Sequence, residues 1–243
     1  MATEKRARPD TYGHDQGHHH RDVSGGWLRP AVFGAMDGLV TNVSLIAGVG
    51  GGGGSAHTIV LTGLAGLAAG ACSMAAGEYV SVSSQNELVQ AEVNKERLEL
   101  ENNPVFEQAE LATMLRARGV SPATARQAAA EISAHPDKAL AVHALEELGV
   151  DPGELPSPVV AAGASMASFA VGAVIPLLPY LFGLHLLTVS LGLAAVAAIC
   201  GGGMVARLTD RPFWRGAFRQ LLLGACAVAI TYLIGVAVGH VAA

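Results

Sequence analysis

The fold of this protein is decided by residues 56–99, which read AHTIVLTGLAGLAAGACSMAAGEYVSVSSQNELVQAEVNKERLE. Residues 56–82 are almost entirely apolar or small, and about 20 such helical residues are enough to cross the hydrocarbon core of a bilayer. The rest of the stretch is rich in glutamate and contains no helix-breaking residue. We therefore predict a transmembrane helix that continues into an acidic helical region outside the membrane.

Four more stretches are long and apolar enough to cross a bilayer, at residues 28–50, 157–182, 185–207 and 217–242. The chain is 51% hydrophobic and only 14% charged, whereas soluble domains carry about 25% charged residues. We predict an all-α polytopic membrane protein. It has five transmembrane helices and a small cytoplasmic helical insert between helices 2 and 3.

The positions of the basic residues predict the orientation. All 15 Lys and Arg residues lie in the N-terminal segment, within residues 84–154, or between Arg207 and Arg219. Because positively charged loops stay in the cytoplasm, we expect the N-terminus and the insert to be cytoplasmic and the C-terminus to lie outside. The predicted regions are a disordered His-containing tail (1–26), helices 1 and 2 (27–83), an acidic metal-binding insert (84–154) and helices 3 to 5 (155–243).

The net charge of −5 excludes one class of partner. A nucleic-acid-binding protein needs a basic surface to neutralise phosphates, and this chain has none, so we expect no nucleic acid. The low charge content instead makes the lipid bilayer an expected partner. The Ala-, Gly- and Arg-rich composition favours a bacterial plasma membrane over a vacuolar membrane.

Residues 84–154, which we call the insert, hold 13 acidic and six basic residues. Prolines and glycines predict where its helices begin and end. Several acidic residues recur at helical spacing, so their carboxylates share helix faces. The candidate ligands in the insert are Glu92, Glu96, Glu99, Glu107, Glu110, His143, Glu146 and Glu147.

Two interpretations of these carboxylates follow from the residues alone. Like charges one helical turn apart repel by a few tenths of a kcal/mol per pair, and a divalent cation between them would replace that repulsion with attraction. Oxygen ligands combined with imidazole suit Fe²⁺, Mn²⁺ or Zn²⁺. Alternatively, the carboxylates form a solvated acidic face that Lys95 and Arg97 partly neutralise.

Two acidic residues, Asp37 and Glu78, lie inside the predicted spans. A charge at the centre of a span costs at least about 2.5–3.5 kcal/mol, so Asp37 should face a cavity or a partner, or cap a kinked backbone. Met74 lies one turn before Glu78 on the same helix face, and its thioether favours softer metals over Mg²⁺ or Ca²⁺. The alternatives are ordinary packing for Met74 and an interfacial position for Glu78.

Two motifs in these spans carry a resemblance to a known family: MDGLVTN at residues 36–42 and SMAAGEY at residues 73–79. Together with the glutamate-rich insert and the PLLP sequence at 176–179, they make the chain similar to the vacuolar iron transporter family over most of residues 27–243. The resemblance implies a homodimeric transporter that moves Fe²⁺ out of the cytoplasm in exchange for protons, through a pore between the subunits. It implies no permanent cofactor.

The resemblance also implies roles for individual residues. Asp37 and Met74 match the intramembrane metal site of the family. In the insert, plant relatives have two adjacent methionines where this chain has His143-Ala144, so His143 is expected to supply a nitrogen ligand. The insert glutamates that match the family's ligands are Glu96, Glu99, Glu107, Glu110 and Glu147, with Glu78, Glu92 and Glu146 as secondary candidates.

Two other functions compete with Fe²⁺ transport. One is transport of Mn²⁺ or Zn²⁺ by the same fold. The other is a membrane-anchored, carboxylate-type ferroxidase. Di-iron oxidase helices carry Glu-x-x-His pairs, and the insert lacks them. We therefore expect a transporter and not an enzyme.

Overall fold

The computed structural model describes residues 26–241, which are almost entirely helical and contain no strand. In chain order the helices are α1 (Leu28–Gly51), α2 (Ala56–Asn102), α3 (Pro104–Ala117), α4 (Pro122–Ser133), α5 (Pro136–His143), α6 (Pro158–Val174), α7 (Leu178–Leu181), α8 (Leu187–Leu208) and α9 (Phe213–Val241). The predicted all-α fold is confirmed. The N-terminal histidines lie outside the described residues.

Five helical segments within residues 26–241 are long and apolar enough to cross a membrane. They are Leu28–Gly51, the apolar part of Ala56–Asn102, Pro158–Leu181, Leu187–Leu208 and Phe213–Val241. Each overlaps one of the stretches predicted from hydropathy. This agrees with a polytopic membrane architecture.

Helix α1 is the centre of the membrane bundle, because it packs against α2, α6, α8 and α9. Two glycines let it approach α6 closely. A Cβ atom at Gly38 would lie 2.1 Å from the backbone oxygen of Phe169, and one at Gly34 would lie 2.5 Å from that of Ser165. The α1–α6 contact is therefore a backbone-to-backbone contact that only small residues permit.

The third span is broken near its far end, as its prolines predict. The α-helix ends at Val174, and a 3₁₀ turn at Ile175–Leu177 leads into the short α7. Pro176 has no N–H to donate to the helix. The Ser190 hydroxyl on α8 donates to the Pro176 carbonyl, which satisfies part of this irregular backbone inside the bundle.

Helix α2 joins the membrane bundle to the insert without a break. It has 47 residues and is about 70 Å long, more than twice the thickness of a bilayer core. Val93 near its far end packs against Leu140 and Ala144. The return segment is fixed to the same helix, because the Asn86 side chain donates to the Pro156 carbonyl over 2.9 Å.

The helices of the insert begin and end where prolines and glycines predict. Pro104, Pro122 and Pro136 are the first residues of α3, α4 and α5. Gly119 (φ +92°) and Gly149 (φ +68°) adopt the left-handed conformation after α3 and after the π turn at Ala144–Leu148 that follows α5. Helices α3 and α4 share a small core.

The close approach of α1 and α6 predicts a strong effect of one methyl group. Gly38→Ala should lower the free energy of unfolding by about 1–3 kcal/mol, because the new Cβ forces the two backbones apart. Thermal unfolding of the purified protein in detergent measures this loss. Gly163→Ala on α6 is the control, since its Cβ would meet no atom within 4 Å. Equal stability of the two variants would contradict the prediction.

Candidate metal centre

Four potential metal ligands from three parts of the chain meet inside the insert. They are Glu96 on α2, Glu107 on α3, His143 at the end of α5, and Glu147 in the π turn. One ligand atom of each lies within 4.8 Å of all the others. This is the one group of three or more His, Cys, Asp and Glu side chains with such geometry in the described part of the chain.

The group is centred on the Nδ1 atom of His143. The Oε1 atoms of Glu96 and Glu147 each lie 3.0 Å from Nδ1, and Oε2 of Glu107 lies 3.9 Å from it. Only the contact with Glu147 has hydrogen-bond geometry. Oε1 of Glu96 is buried and has no hydrogen-bond partner within residues 26–241. Three carboxylates therefore surround a nitrogen that has at most one hydrogen to donate.

These distances fit a shared cation. Ligand atoms that bind one transition metal at about 2.1 Å lie about 3 Å apart when they are adjacent in its coordination sphere. The carboxylate oxygens and the imidazole nitrogen approach this spacing. Three oxygens and one nitrogen form a donor set that suits Fe²⁺, Mn²⁺ or Zn²⁺.

Because the four ligands are largely buried, keeping their carboxylates ionised without a cation costs free energy. His143 is fully buried, and only 6% of Glu96 and 4% of Glu107 is exposed. The side chain of Glu147 is 31% exposed, so the group opens to solvent on that side. Buried carboxylates are normally paired with cations or bound to metals. A metal would enter most directly past Glu147.

The pKa values of the buried carboxyls reflect this cost. Burial raises the pKa of Glu96 to about 7, and repulsion from Glu147 and then Glu107 adds to the rise. Burial also raises the pKa of Glu107, with Glu110 as the next cause. His143 opposes both shifts. The metal-free group therefore retains protons at a pH where exposed carboxyls are ionised.

The other candidate residues in the insert lie outside this group of four. Glu99 and Glu110 are close enough to raise the pKa values of Glu96 or Glu107 by repulsion. Glu92 is exposed and lies 4.0 Å from Lys95. Glu146 forms an ion pair of 2.8 Å with Arg118, a partner that sequence reasoning missed because nothing in the sequence marks which base faces which acid.

The membrane candidates lie on separate helices. Asp37 is half-buried on α1, and its carboxylate accepts a hydrogen bond of 3.1 Å from Thr41. Met74 is half-buried on α2 and packs against the core around Phe169. Glu78 lines a cavity together with Arg29 and Arg219. In the described residues, neither Asp37 nor Glu78 belongs to a group of ligands like that in the insert.

Comparison with known proteins identifies the family. A family model described as "VIT family" matches residues 28–236, which is most of the chain. The chain belongs to the VIT family. The match includes both membrane motifs and the whole insert, so the resemblance predicted from the sequence is confirmed.

Relatives of this VIT family member carry names that agree with the match. The "Vacuolar iron transporter" of Acanthamoeba castellanii is 37% identical over 226 residues, which cover 90% of this chain and 82% of the relative. The "Vacuolar iron transporter homolog 1" of Oryza sativa subsp. japonica is 36% identical over 215 residues, 85% of this chain and 71% of the relative. The "Vacuolar iron transporter 1" of the same species is 30% identical over 222 residues, 88% of each chain.

The raised pKa of Glu96 predicts how pH changes the stability of the metal-free insert. Between pH 4.5 and about 7 the folded protein binds more protons than the unfolded chain, so the free energy of unfolding falls as pH rises through this range. A divalent cation requires ionised carboxylates, so its stabilising effect should grow over the same range. Hydrogen exchange in α3–α5, corrected for intrinsic rates, should be faster at about pH 8 than at about pH 5 without metal. Mn²⁺ should slow it mainly at the higher pH.

The control for this experiment is Glu96→Gln, which carries the neutral form at every pH. This variant should lose most of the pH dependence and most of the protection by Mn²⁺. Equal protection by Mn²⁺ at both pH values in the wild-type protein would contradict the assignment of Glu96 as a ligand. The assignment would also be contradicted if Glu96→Gln kept the pH dependence and the Mn²⁺ protection of the wild type.

Proposed function

We propose that this VIT family member carries Fe²⁺ across a membrane, out of the cytoplasm and in exchange for protons. The observation that carries the proposal is the buried group of Glu96, Glu107, His143 and Glu147. It lies on the prolongation of a helix that begins as a membrane span. The names of the relatives support iron as the cargo.

The insert serves as the place where metal is collected. Its carboxylates attract divalent cations, and the exposed Glu147 leads to the buried ligands. Glu99 and Glu110 add to the negative potential around Glu96 and Glu107. Helix α2 connects the collecting group to Met74. Met74 lies 22 residues before Glu96 on this helix, a distance of about 33 Å along its axis.

The transport site within the membrane consists of Asp37 and Met74 from two copies of the chain. A carboxylate with a thioether suits a soft divalent cation. In a homodimer with its pore between the subunits, each residue would occur twice. Protonation of Asp37 from the acidic side removes the charge that holds the cation, so proton entry drives metal release.

The distribution of positive charge supports the proposed orientation. The insert and the loop between α8 and α9 carry Lys and Arg residues, and the turn between α1 and α2 carries none. By the positive-inside rule this favours a cytoplasmic insert, and transport would then move metal from the cytoplasm to the opposite side. The host membrane that the composition favours is a bacterial plasma membrane.

Mn²⁺ or Zn²⁺ is the second candidate cargo, because the buried imidazole of His143 lies within the ligand group. Imidazole binds Zn²⁺ as well as Fe²⁺, and carboxylates bind Mn²⁺. An oxidase function has less support, since a di-iron centre draws a Glu-x-x-His motif from each of two helices. The group contains a single histidine.

Transport should depend on Asp37. In proteoliposomes with an imposed pH gradient, Asp37→Asn should abolish Fe²⁺ uptake and the accompanying proton movement. The amide can neither bind and release a proton nor become negatively charged at that position. Asp210→Asn is the control, since Asp210 lies in the loop after α8 and outside the candidate sites. Undiminished flux in Asp37→Asn would exclude Asp37 from the mechanism. Competition by Mn²⁺ and Zn²⁺ in the same assay ranks the cargoes.

The insert should determine the affinity for metal. Even the loss of a group that only supports a ligand costs about 10–100-fold in metal affinity. Glu96→Gln combined with Glu107→Gln should therefore weaken binding by at least about 10-fold and slow flux most at low metal concentration. Isothermal titration of the full-length protein with Mn²⁺ measures the affinity. The control is Glu101→Gln, an exposed position on the same helix as Glu96, which should change neither the affinity nor the flux. Equal affinity of the double variant and this control would favour the solvated-face interpretation.

A further inference from the structure

A second charged site lies at the end of the membrane bundle that carries the insert. It is a cavity of about 380 Å³ between α1, α8 and α9, with α2 at its edge. Its polar lining residues are Arg29, Glu78, Arg219 and Gln220. None of these belongs to the group of ligands in the insert.

The charge of this cavity is positive. Arg29 on α1 and Arg219 on α9 both line it, and Glu78 is its single acidic residue. Within residues 26–241, neither arginine forms a salt bridge. Two guanidinium groups facing one carboxylate leave a net charge of about +1. Such a cavity attracts an anion and repels a divalent metal, so it is a poor site for the cargo despite Glu78.

The rest of the lining is apolar. Phe33 and Met36 on α1 and Val205 on α8 form part of the wall. Free phosphate or another small anion makes no use of such a wall. A phospholipid does, because its phosphate is joined to glycerol and acyl chains. The lining therefore matches a ligand with a charged end and an apolar end.

Aromatic residues place this end of the bundle at the surface of the bilayer. Trp27 precedes α1 and Trp214 lies in the first turn of α9, and they are 50% and 64% exposed. Exposed tryptophans at helix ends lie at the level of the lipid headgroups. Arg29 and Arg219 follow these tryptophans by two and five residues. Their backbones therefore lie about 3 and 8 Å further into the bilayer, and long arginine side chains reach back from such depths to the lipid phosphates.

We propose that this cavity binds the headgroup of an anionic phospholipid. Arg29 and Arg219 hold the phosphate, Glu78 accepts a hydrogen bond from a headgroup hydroxyl, and Phe33 and Met36 contact the glycerol and the first acyl carbons. Basic pockets between helices on the cytoplasmic side of membrane proteins suit this class of ligand. The proposal stands independently of the cargo and of the metal centre.

Native mass spectrometry of the purified full-length protein tests the site. Protein is mixed with phosphatidylglycerol or phosphatidylcholine at equal mole fraction, and the retained lipid is counted. The wild type should retain phosphatidylglycerol preferentially. Arg29→Gln combined with Arg219→Gln should weaken that retention by roughly 30-fold, since two favourable charge contacts of about 1 kcal/mol each are lost. Arg211→Gln in the loop before α9 removes a charge at the same end of the bundle but outside the cavity, and it should retain the lipid like the wild type.

Each alternative has a distinct outcome. Equal loss in Arg211→Gln would show attraction by the general surface charge and would overturn the proposal. Displacement of the lipid by inorganic phosphate at equal concentration would show a site for free phosphate and would also overturn it. If the double glutamine variant does not fold, Arg29→Lys with Arg219→Lys replaces it. Lysine keeps the charge but loses the bidentate contact, so it should retain less lipid than the wild type, and unchanged retention would count against the site.

Discussion

The continuity of α2 is the constraint on which the rest of the structure depends. The helix passes from an apolar segment to a glutamate-rich one without a proline or a loop, and the next proline, Pro104, begins α3. Since Ala, Leu, Glu and Lys all favour helices, the change from lipid to water requires no change of backbone. Glu96 is therefore held at a fixed position relative to Met74, and the insert cannot rotate freely against the membrane bundle.

Packing on this helix forces carboxylates together. Val93 binds α5 to α2 through Leu140, and this contact places His143 beside Glu96. Helix α3 then brings Glu107 to the same point. The apolar contacts on one side of the insert thus stabilise an electrostatically unfavourable arrangement on the other, and burial raises the pKa of Glu96 accordingly. Burial and like-charge repulsion that shift carboxyl pKa values in this way are typical of functional sites.

The sequence predicts the elements better than it predicts the site. Hydropathy identifies the spans, and prolines and glycines identify the helix ends, because both depend on local chemistry. Helical spacing correctly places Glu96 and Glu99 on one face, but it does not tell which of them points into the group. Tertiary packing decides this, because it buries Glu96 and leaves Glu99 half-buried. The ion pair of Arg118 with Glu146 joins segments 28 residues apart in the chain, so local pattern carries no trace of it.

The two charged sites at the same end of the molecule have opposite signs, and this separation has a physical consequence. The group in the insert attracts cations, whereas Arg29 and Arg219 repel them from the cavity at the base of α1. On the path proposed above, from the insert to Asp37, a cation would pass near this positive potential, which at partly buried positions is screened weakly by salt. A lipid phosphate bound by the two arginines would neutralise it. Anionic lipid would then lower the electrostatic barrier to entry without contacting the metal, so the composition of the membrane would influence the rate of transport.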